Sequence, residues 1–285
     1  MAEYFGIDCA KWQGTIDWGK VKSAGVQFAI LKATRQNNAP EEAFKRNYSG
    51  ATEAGIPIGV YRYVYAKSAA EATNEAKSVV SVIKGLDISC KVWLDMEDNS
   101  LIKLGKTTLL NIINAEKKVF EAAGYQVGIY CNQAWYNSVL PVDNIDLPFW
   151  IARYGTNNGK QQTKPVIKSN NTLWGWQYSS VGKISGISGS VDVNTAYQTP
   201  GSTKSNANTS TTATVTYATV KKGSKGATVK KLQTTLNKLG NKLTVDGKFG
   251  AKTHASVCVI QQKYGLAVDG VVGPKTWSTI MKVAN

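Results

Sequence analysis

Residues 90–98, Cys-Lys-Val-Trp-Leu-Asp-Met-Glu-Asp, open as a short apolar run and close on three acids. A run of that length reads as a buried strand. Side chains alternate faces along a strand, so Asp95 and Glu97 point the same way, about 7 Å apart along the backbone. Asp98 points the other way and begins the loop. Two acids on one face at a strand end suit chemistry that needs a proton donor beside a negative charge, as glycosidic cleavage does. A salt-bridged strand end would carry the same two residues, so the neighbouring segments decide between the readings.

Outward from this stretch, strands and helices alternate. Strands are expected at 4–8, Val26–Lys32, Ile58–Tyr65, Val92–Glu97 and Val127–Cys131. Helices are expected at Asp17–Ala24, Glu41–Ala54, Ala69–Ile83 and Thr107–Ala123, with a short one near Trp135. Phe149–Arg153, Trp174–Tyr178 and roughly Ser190–Val193 then follow in quicker succession. The fold class is α/β: an irregular β/α (TIM-like) barrel whose second half has lost helices. Catalytic groups of such barrels gather where the strands end. Asp8, Asp95 with Glu97, and Asp192 fall at the first, fourth and last strands, which places acids distant in sequence on one rim. Many aromatics accompany them, among them Tyr61, Tyr63, Tyr130 and Trp150. Rings on strands serve the core, and beside acids they also stack on sugars; both uses are expected here.

The remainder reads differently. Residues 199–216 are nearly all small and polar and cannot bury enough apolar surface to order themselves, which marks a flexible linker. It separates a domain at 1–198 from a second, small all-α domain of three helices at 217–285. In the latter, Val229, Leu232, Leu236 and Leu239 share a helical face. An eight-residue pattern occurs twice, Asp246-Gly-Lys-Phe-Gly-Ala-Lys-Thr253 and Asp269-Gly-Val-Val-Gly-Pro-Lys-Thr276. Each Asp-Gly marks a turn before an apolar-periodic helix, His254–Tyr264 and Thr276–Val283. Calcium loops also use Asp-Gly, but they need further oxygen ligands at fixed spacing, where this repeat has Gly, Phe and Lys.

The 285 residues carry a net charge of +15. Residues 219–285 hold 12 Lys, no Arg and two Asp, so +10 of it is in the small domain. Such a domain favours a polyanionic partner: nucleic acid, an anionic membrane or an anionic wall. The lack of arginine argues against nucleic acid. Four scattered cysteines, Cys9, Cys90, Cys131 and Cys258, and a single histidine, His254, argue against zinc, disulfides and a cysteine–histidine nucleophile. No metal and no cofactor are expected. No run is long enough to span a membrane, and the opening residues lack a basic stretch followed by an apolar one, so synthesis in a cytoplasm is expected.

Seven segments resemble family-25 glycoside hydrolases, the Chalaropsis-type muramidases. They are Phe-Gly-Ile-Asp-Cys-Ala-Lys-Trp-Gln-Gly (5–14), Gly-Val-Tyr-Arg-Tyr (59–63), Leu-Asp-Met-Glu (94–97), Gly-Ile-Tyr-Cys-Asn (128–132), Phe-Trp-Ile-Ala-Arg-Tyr (149–154), Trp-Gln-Tyr-Ser-Ser (176–180) and Gly-Ser-Val-Asp-Val-Asn (189–194). The resemblance spans residues 4–197 in the family's order. One departure is Tyr61-Arg62-Tyr63, where many members have Tyr-His-Phe; alternation turns position 62 away from Tyr61, so altered packing or charge is expected there. The Asp-Gly repeat resembles a three-helix peptidoglycan-binding domain.

These resemblances imply cleavage of the β-1,4 bond between N-acetylmuramic acid and N-acetylglucosamine in bacterial cell-wall peptidoglycan. They imply Glu97 as proton donor, with Asp95 ionised beside it, either stabilising the oxocarbenium-like centre or orienting the substrate's acetamide. Asp8 and Asp192 would tune charge, and Tyr61, Tyr63, Tyr130, Trp150 and Gln177 would bind substrate. The backbone spacing leaves both retaining and inverting courses open. Together they suggest a bacteriophage endolysin that reaches the wall after holin-type release. A bacterial autolysin and a non-catalytic wall-binding protein are the alternatives.

Overall fold

The computed structural model describes residues 2–201, 219–264 and 266–283. The chain divides into two compact units, Met1–Asn208 and Thr209–Asn285. From residue 202 onward the expected linker at 199–216 lies outside the described residues.

In the first unit eight strands close into a barrel in chain order: β1 (Tyr4–Cys9), β2 (Phe28–Lys32), β3 (Ile58–Tyr63), β4 (Val92–Asp95), β5 (Val127–Asn132), β6 (Phe149–Ala152), β7 (Leu173–Gly182) and β8 (Val191–Ala196). Helices α1 (Trp18–Ser23), α2 (Phe44–Glu53), α3 (Ala69–Ile83), α4 (Gly105–Ala122) and α5 (Gln133–Ser138) fall between β1 and β6. No described helix follows β6 within the barrel. Pairing is parallel from β1 to β7, while β8 runs antiparallel to both β7 and β1. That reversal follows from the short return over 183–190, because a parallel strand needs a longer crossover.

Period-two alternation sorts each strand into two faces. Val92 and Leu94 join the outer core beneath the helices, whereas Trp93 points into the barrel. Inside, Trp93 packs on Trp174 and Trp150, with ring centroids 4.6 and 5.7 Å apart. Space for this filling comes from two glycines: a Cβ on Gly6 would lie 2.3 Å from the Phe28 ring, and one on Gly128 2.3 Å from Trp93. The aromatics sit where the lumen would otherwise be empty, so the site forms at its mouth.

The helices follow their local signals. Asp17 caps α1 by accepting from Lys20 N at 3.0 Å, and Ser68 caps α3 by accepting from Glu71 N at 3.2 Å. The helix expected from Glu41 begins later, at Phe44, because Glu41 accepts from Lys11 N and Ala43 N instead. Arg62 is wholly buried on the outer face of β3 and pairs with Glu75 of α3 at 3.0 Å. It also donates to Thr34, Asn38 and the Arg35 carbonyl, tying the segment after β2 to the barrel wall.

The second unit contains α6 (Ala227–Lys238), α7 (Ala251–Lys263) and α8 (Pro274–Val283) around a small core that includes Val229, Leu232, Leu236, Phe249 and Trp277. Its sequence repeat is a structural repeat. Gln233 Nε2 donates to Asp246 Oδ1 at 2.8 Å while its Oε1 accepts from Gly247 N at 2.9 Å. Gln261 does the same for Asp269 and Gly270, at 2.7 and 2.9 Å. Both glycines have positive φ, 75° and 66°, as a turn of this kind requires. The two Asp carboxylates are thus occupied by amide groups. His254 packs against Gly270, where an added Cβ would lie 2.1 Å from Nε2.

Candidate active site

At the carboxyl ends of the parallel strands the inward faces carry Asp8, Lys32, Tyr61, Tyr63, Asp95 and Tyr130. Asp192 joins them from the start of β8, not from a strand end. The antiparallel pairing sets it directly opposite Asp8, which brings both carboxyls to one rim. Asp95 closes β4, and Glu97 lies just beyond it. Asp98 instead accepts from Ser100 N at 2.8 Å, and hydrogen bonds from Ser100 hold its carboxyl below the usual range.

Asp8 sits in a built cradle. Its Oδ2 accepts from Gln177 Nε2 and Asn194 Nδ2, each at 2.8 Å. Both amides are oriented from behind. Tyr130 and Tyr154 hydroxyls donate to Gln177 Oε1 at 2.8 and 2.5 Å, and the Trp150 indole donates to Asn194 Oδ1 at 2.8 Å. An indole N–H can only donate, so the Asn194 oxygen must face Trp150 and its NH2 must face Asp8.

Trp150, expected at the substrate, belongs to this network. Trp150 is only 2% exposed and packs against Tyr130 at a tilt of 57°, centroids 4.4 Å apart. Its indole supports the cradle through Asn194. Gln177 and Tyr130 are also buried and form the floor, while Tyr61 and Tyr63 are half-buried at the mouth.

Crowding of acids in a low-dielectric setting raises their pKa values. Burial, then the charge of Asp192, lifts Asp8 well above the ordinary range against its two amide hydrogen bonds. Burial, then Glu97, lifts Asp95, and burial, then Asp192, lifts Glu97; Lys32 opposes both. Burial pushes Asp192 up to about 6. Asp95 and Glu97 titrate as a pair, since ionising one makes ionising the other harder. Asp95 is the deeper of the two, so burial alone puts the resting proton there. Its Oδ1 is buried with no hydrogen-bond partner among the described residues. An N–H from a bound molecule would stabilise the Asp95 carboxylate and leave the proton to Glu97.

A cavity of about 340 Å³ opens beside Glu97, lined by Tyr130, Asn132, Gln133, Ala134, Ala152 and Tyr154. Another, of about 280 Å³, lies at the opposite end of the barrel around Pro57, Ile58 and Ser89, away from the acids. Among the described residues no group of three or more His, Cys, Asp or Glu side chains is arranged to hold a metal, and no helix is long and apolar enough to cross a membrane.

Sequence reasoning did not single out Lys32, Asn194 or Tyr154 as site residues. Lys32 had a signal, a lone cation ending the apolar strand Phe-Ala-Ile-Leu-Lys. Asn194 lies two residues after Asp192 and so shares its face. Tyr154 had only its place beyond β6.

Residues 7–187 match the family model for glycosyl hydrolases family 25, and residues 225–280 that for a putative peptidoglycan binding domain. The chain is 32% identical to the autolytic lysozyme of Clostridium acetobutylicum over 279 residues, which is 95% of this chain and 76% of that protein. It is 33% identical over 201 residues to lysozyme M1 of Streptomyces globisporus, 66% of each. Among solved structures, the catalytic domain of endolysin ply40 from bacteriophage P40 of Listeria monocytogenes aligns with a TM-score of 0.59 at 28% identity, covering 68% of this chain and 93% of that one.

Proposed function

The chain belongs to glycosyl hydrolase family 25, and from that premise we propose that it is an N-acetylmuramidase, cutting peptidoglycan between N-acetylmuramic acid and N-acetylglucosamine. The observation that carries this reading is the Asp95–Glu97 pair beside a cavity, with Asp95 Oδ1 buried and open. Glu97, lifted by burial and by Asp192, gives its proton to the glycosidic oxygen as that bond breaks. Asp95 accepts the acetamide N–H of the muramic acid residue and turns the acetamide oxygen toward C1. That oxygen closes a five-membered ring on C1. Water then opens the ring, returning its proton to the Glu97 carboxylate. Two carboxyls of unequal burial thus take two roles, and the substrate selects which keeps the proton.

Asp8 and Asp192 surround the pair with negative charge, and the amide cradle keeps Asp8 fixed. The second unit is the wall binder, supported by its match to a peptidoglycan-binding family and by its twelve lysines. Purified cell walls should clear in the presence of the protein while reducing sugar appears. Clearing with new amino groups and no reducing sugar would point to peptide cleavage instead.

The biological setting we propose is that of a bacteriophage endolysin, a reading supported by the structural likeness to ply40. A bacterial autolysin is the second reading, because the autolytic lysozyme matches across 95% of the chain. Expression inside a susceptible bacterium separates them. An endolysin lyses the culture only after the membrane is permeabilised, whereas an autolysin reaches the wall without that step.

A further inference from the structure

We infer that Lys32 is a positioning residue for the acid pair, an ammonium mounted on Tyr61 and Tyr63 that keeps negative charge on Asp95 during hydrolysis. This rests on the muramidase reading and adds a residue to it.

Lys32 owes its place to strand parity. Phe28 and Ile30 of β2 point into the barrel, so the next residue on that face, Lys32, faces the mouth. In register it lies beside Tyr61, and Tyr63 lies beside Asp95 one strand further on. Its Nζ stands 5.8 Å from the Tyr61 ring centroid and 5.9 Å from that of Tyr63. A cation over two aromatic faces is attracted by their quadrupoles without being neutralised. Among the described residues no carboxylate lies within ion-pair distance of it. The guanidinium groups of Arg62 and Arg35 are engaged elsewhere, with Glu75 and Glu42.

The titratable groups facing this mouth are Asp8 from β1, Tyr61 and Tyr63 from β3, Asp95 and Glu97 from β4 and its end, Tyr130 from β5, Tyr154 from beyond β6, and Asp192 from β8. Four carboxyls and one ammonium make a site that resists ionisation. The Lys32 charge opposes the upward shift of both Asp95 and Glu97. Hydrolysis needs one of that pair ionised and one protonated. Without Lys32 both hold protons to higher pH, and the acetamide loses its acceptor. An ion pair at contact distance would instead tie up the Asp95 oxygen that the substrate must reach. A cation set back on two rings supplies field without occupying that oxygen.

The test uses the full chain and soluble uncrosslinked glycan fragments from purified walls, with kcat and KM measured from pH 4 to 8. Lys32→Met should move the acid limb of the kcat profile upward by about one pH unit and lower kcat about tenfold on that limb, each unit being a factor of ten in the ionised fraction. KM should stay within about twofold. Lys32→Arg should return the limb toward wild type, and Lys32→Gln repeats the neutral substitution if the Met variant does not fold. A limb that stays in place in a folded neutral variant, or a rise in KM alone, overturns the inference. Absence of glycan cleavage by the wild type would instead overturn the muramidase reading.

Discussion

Glu97 and Asp95 differ in depth, and an N–H bound at the buried Asp95 Oδ1 is what leaves the proton to Glu97. Glu97→Gln keeps the shape but cannot donate a proton, so turnover should fall below a tenth of wild type with folding and wall binding unchanged, as read by wall clearing and sedimentation. Asp95→Asn should also lower turnover severely, since its charge is felt mainly in the transition state. Asp192 allows a test of the electrostatics without substrate. Its carboxyl is pushed up to about 6 from an ordinary 3.8, so the folded state binds this proton more tightly than the unfolded one. The stability this contributes is complete below about pH 4 and is lost as pH rises through about 6. Asp192→Asn removes the loss, so its Tm should exceed that of wild type at pH 7 and converge on it at pH 4. A constant gap across that range would contradict the assignment. The acids were legible in the sequence because Asp-x-Glu closes an apolar run and strand parity fixes their common face. Asn194 was not, and Gln177 was reached only through the family resemblance, as a substrate binder, since the two amides meet Asp8 across 186 and 169 residues and leave no local pattern.

Elements convert these residues into a site, and β8 does so by running backwards. Its reversal puts Asp192, at the start of a strand, opposite Asp8 near the end of another. The strand itself was expected, at roughly Ser190–Val193, from the quicker succession of strands late in the domain; its direction needed the closed barrel. In the second unit the Asp-Gly turns were legible by repetition, whereas the glutamines that lock them were hidden inside amphipathic helices. Gln233→Leu should leave the buried Gly247 N–H without its partner, at a cost of about 1–3 kcal/mol for a group so stranded. Hydrogen exchange on the full chain should show faster exchange at Gly247 and unchanged protection in the barrel strands. Unchanged protection at Gly247 would mean the clamp contributes nothing.

On the scale of the whole molecule, a family-25 hydrolase is joined to a unit whose described helices match a peptidoglycan-binding family. If residues 199–216 are a flexible tether, cutting there should leave activity on small soluble glycans nearly unchanged and reduce it on intact walls. The isolated tail, at +10, should sediment with walls and release as salt rises, because exposed charges are screened within about 8 Å at physiological ionic strength. A tail that remains in the supernatant at low salt would remove the basis for this division. All of these expectations depend on which bond the Asp95–Glu97 pair cuts. The direct measurement is borohydride reduction of wall digests followed by mass analysis of the fragments. New reduced ends should lie on N-acetylmuramic acid, with stem peptides uncut; reduced N-acetylglucosamine ends, or free stem peptides, would contradict the account.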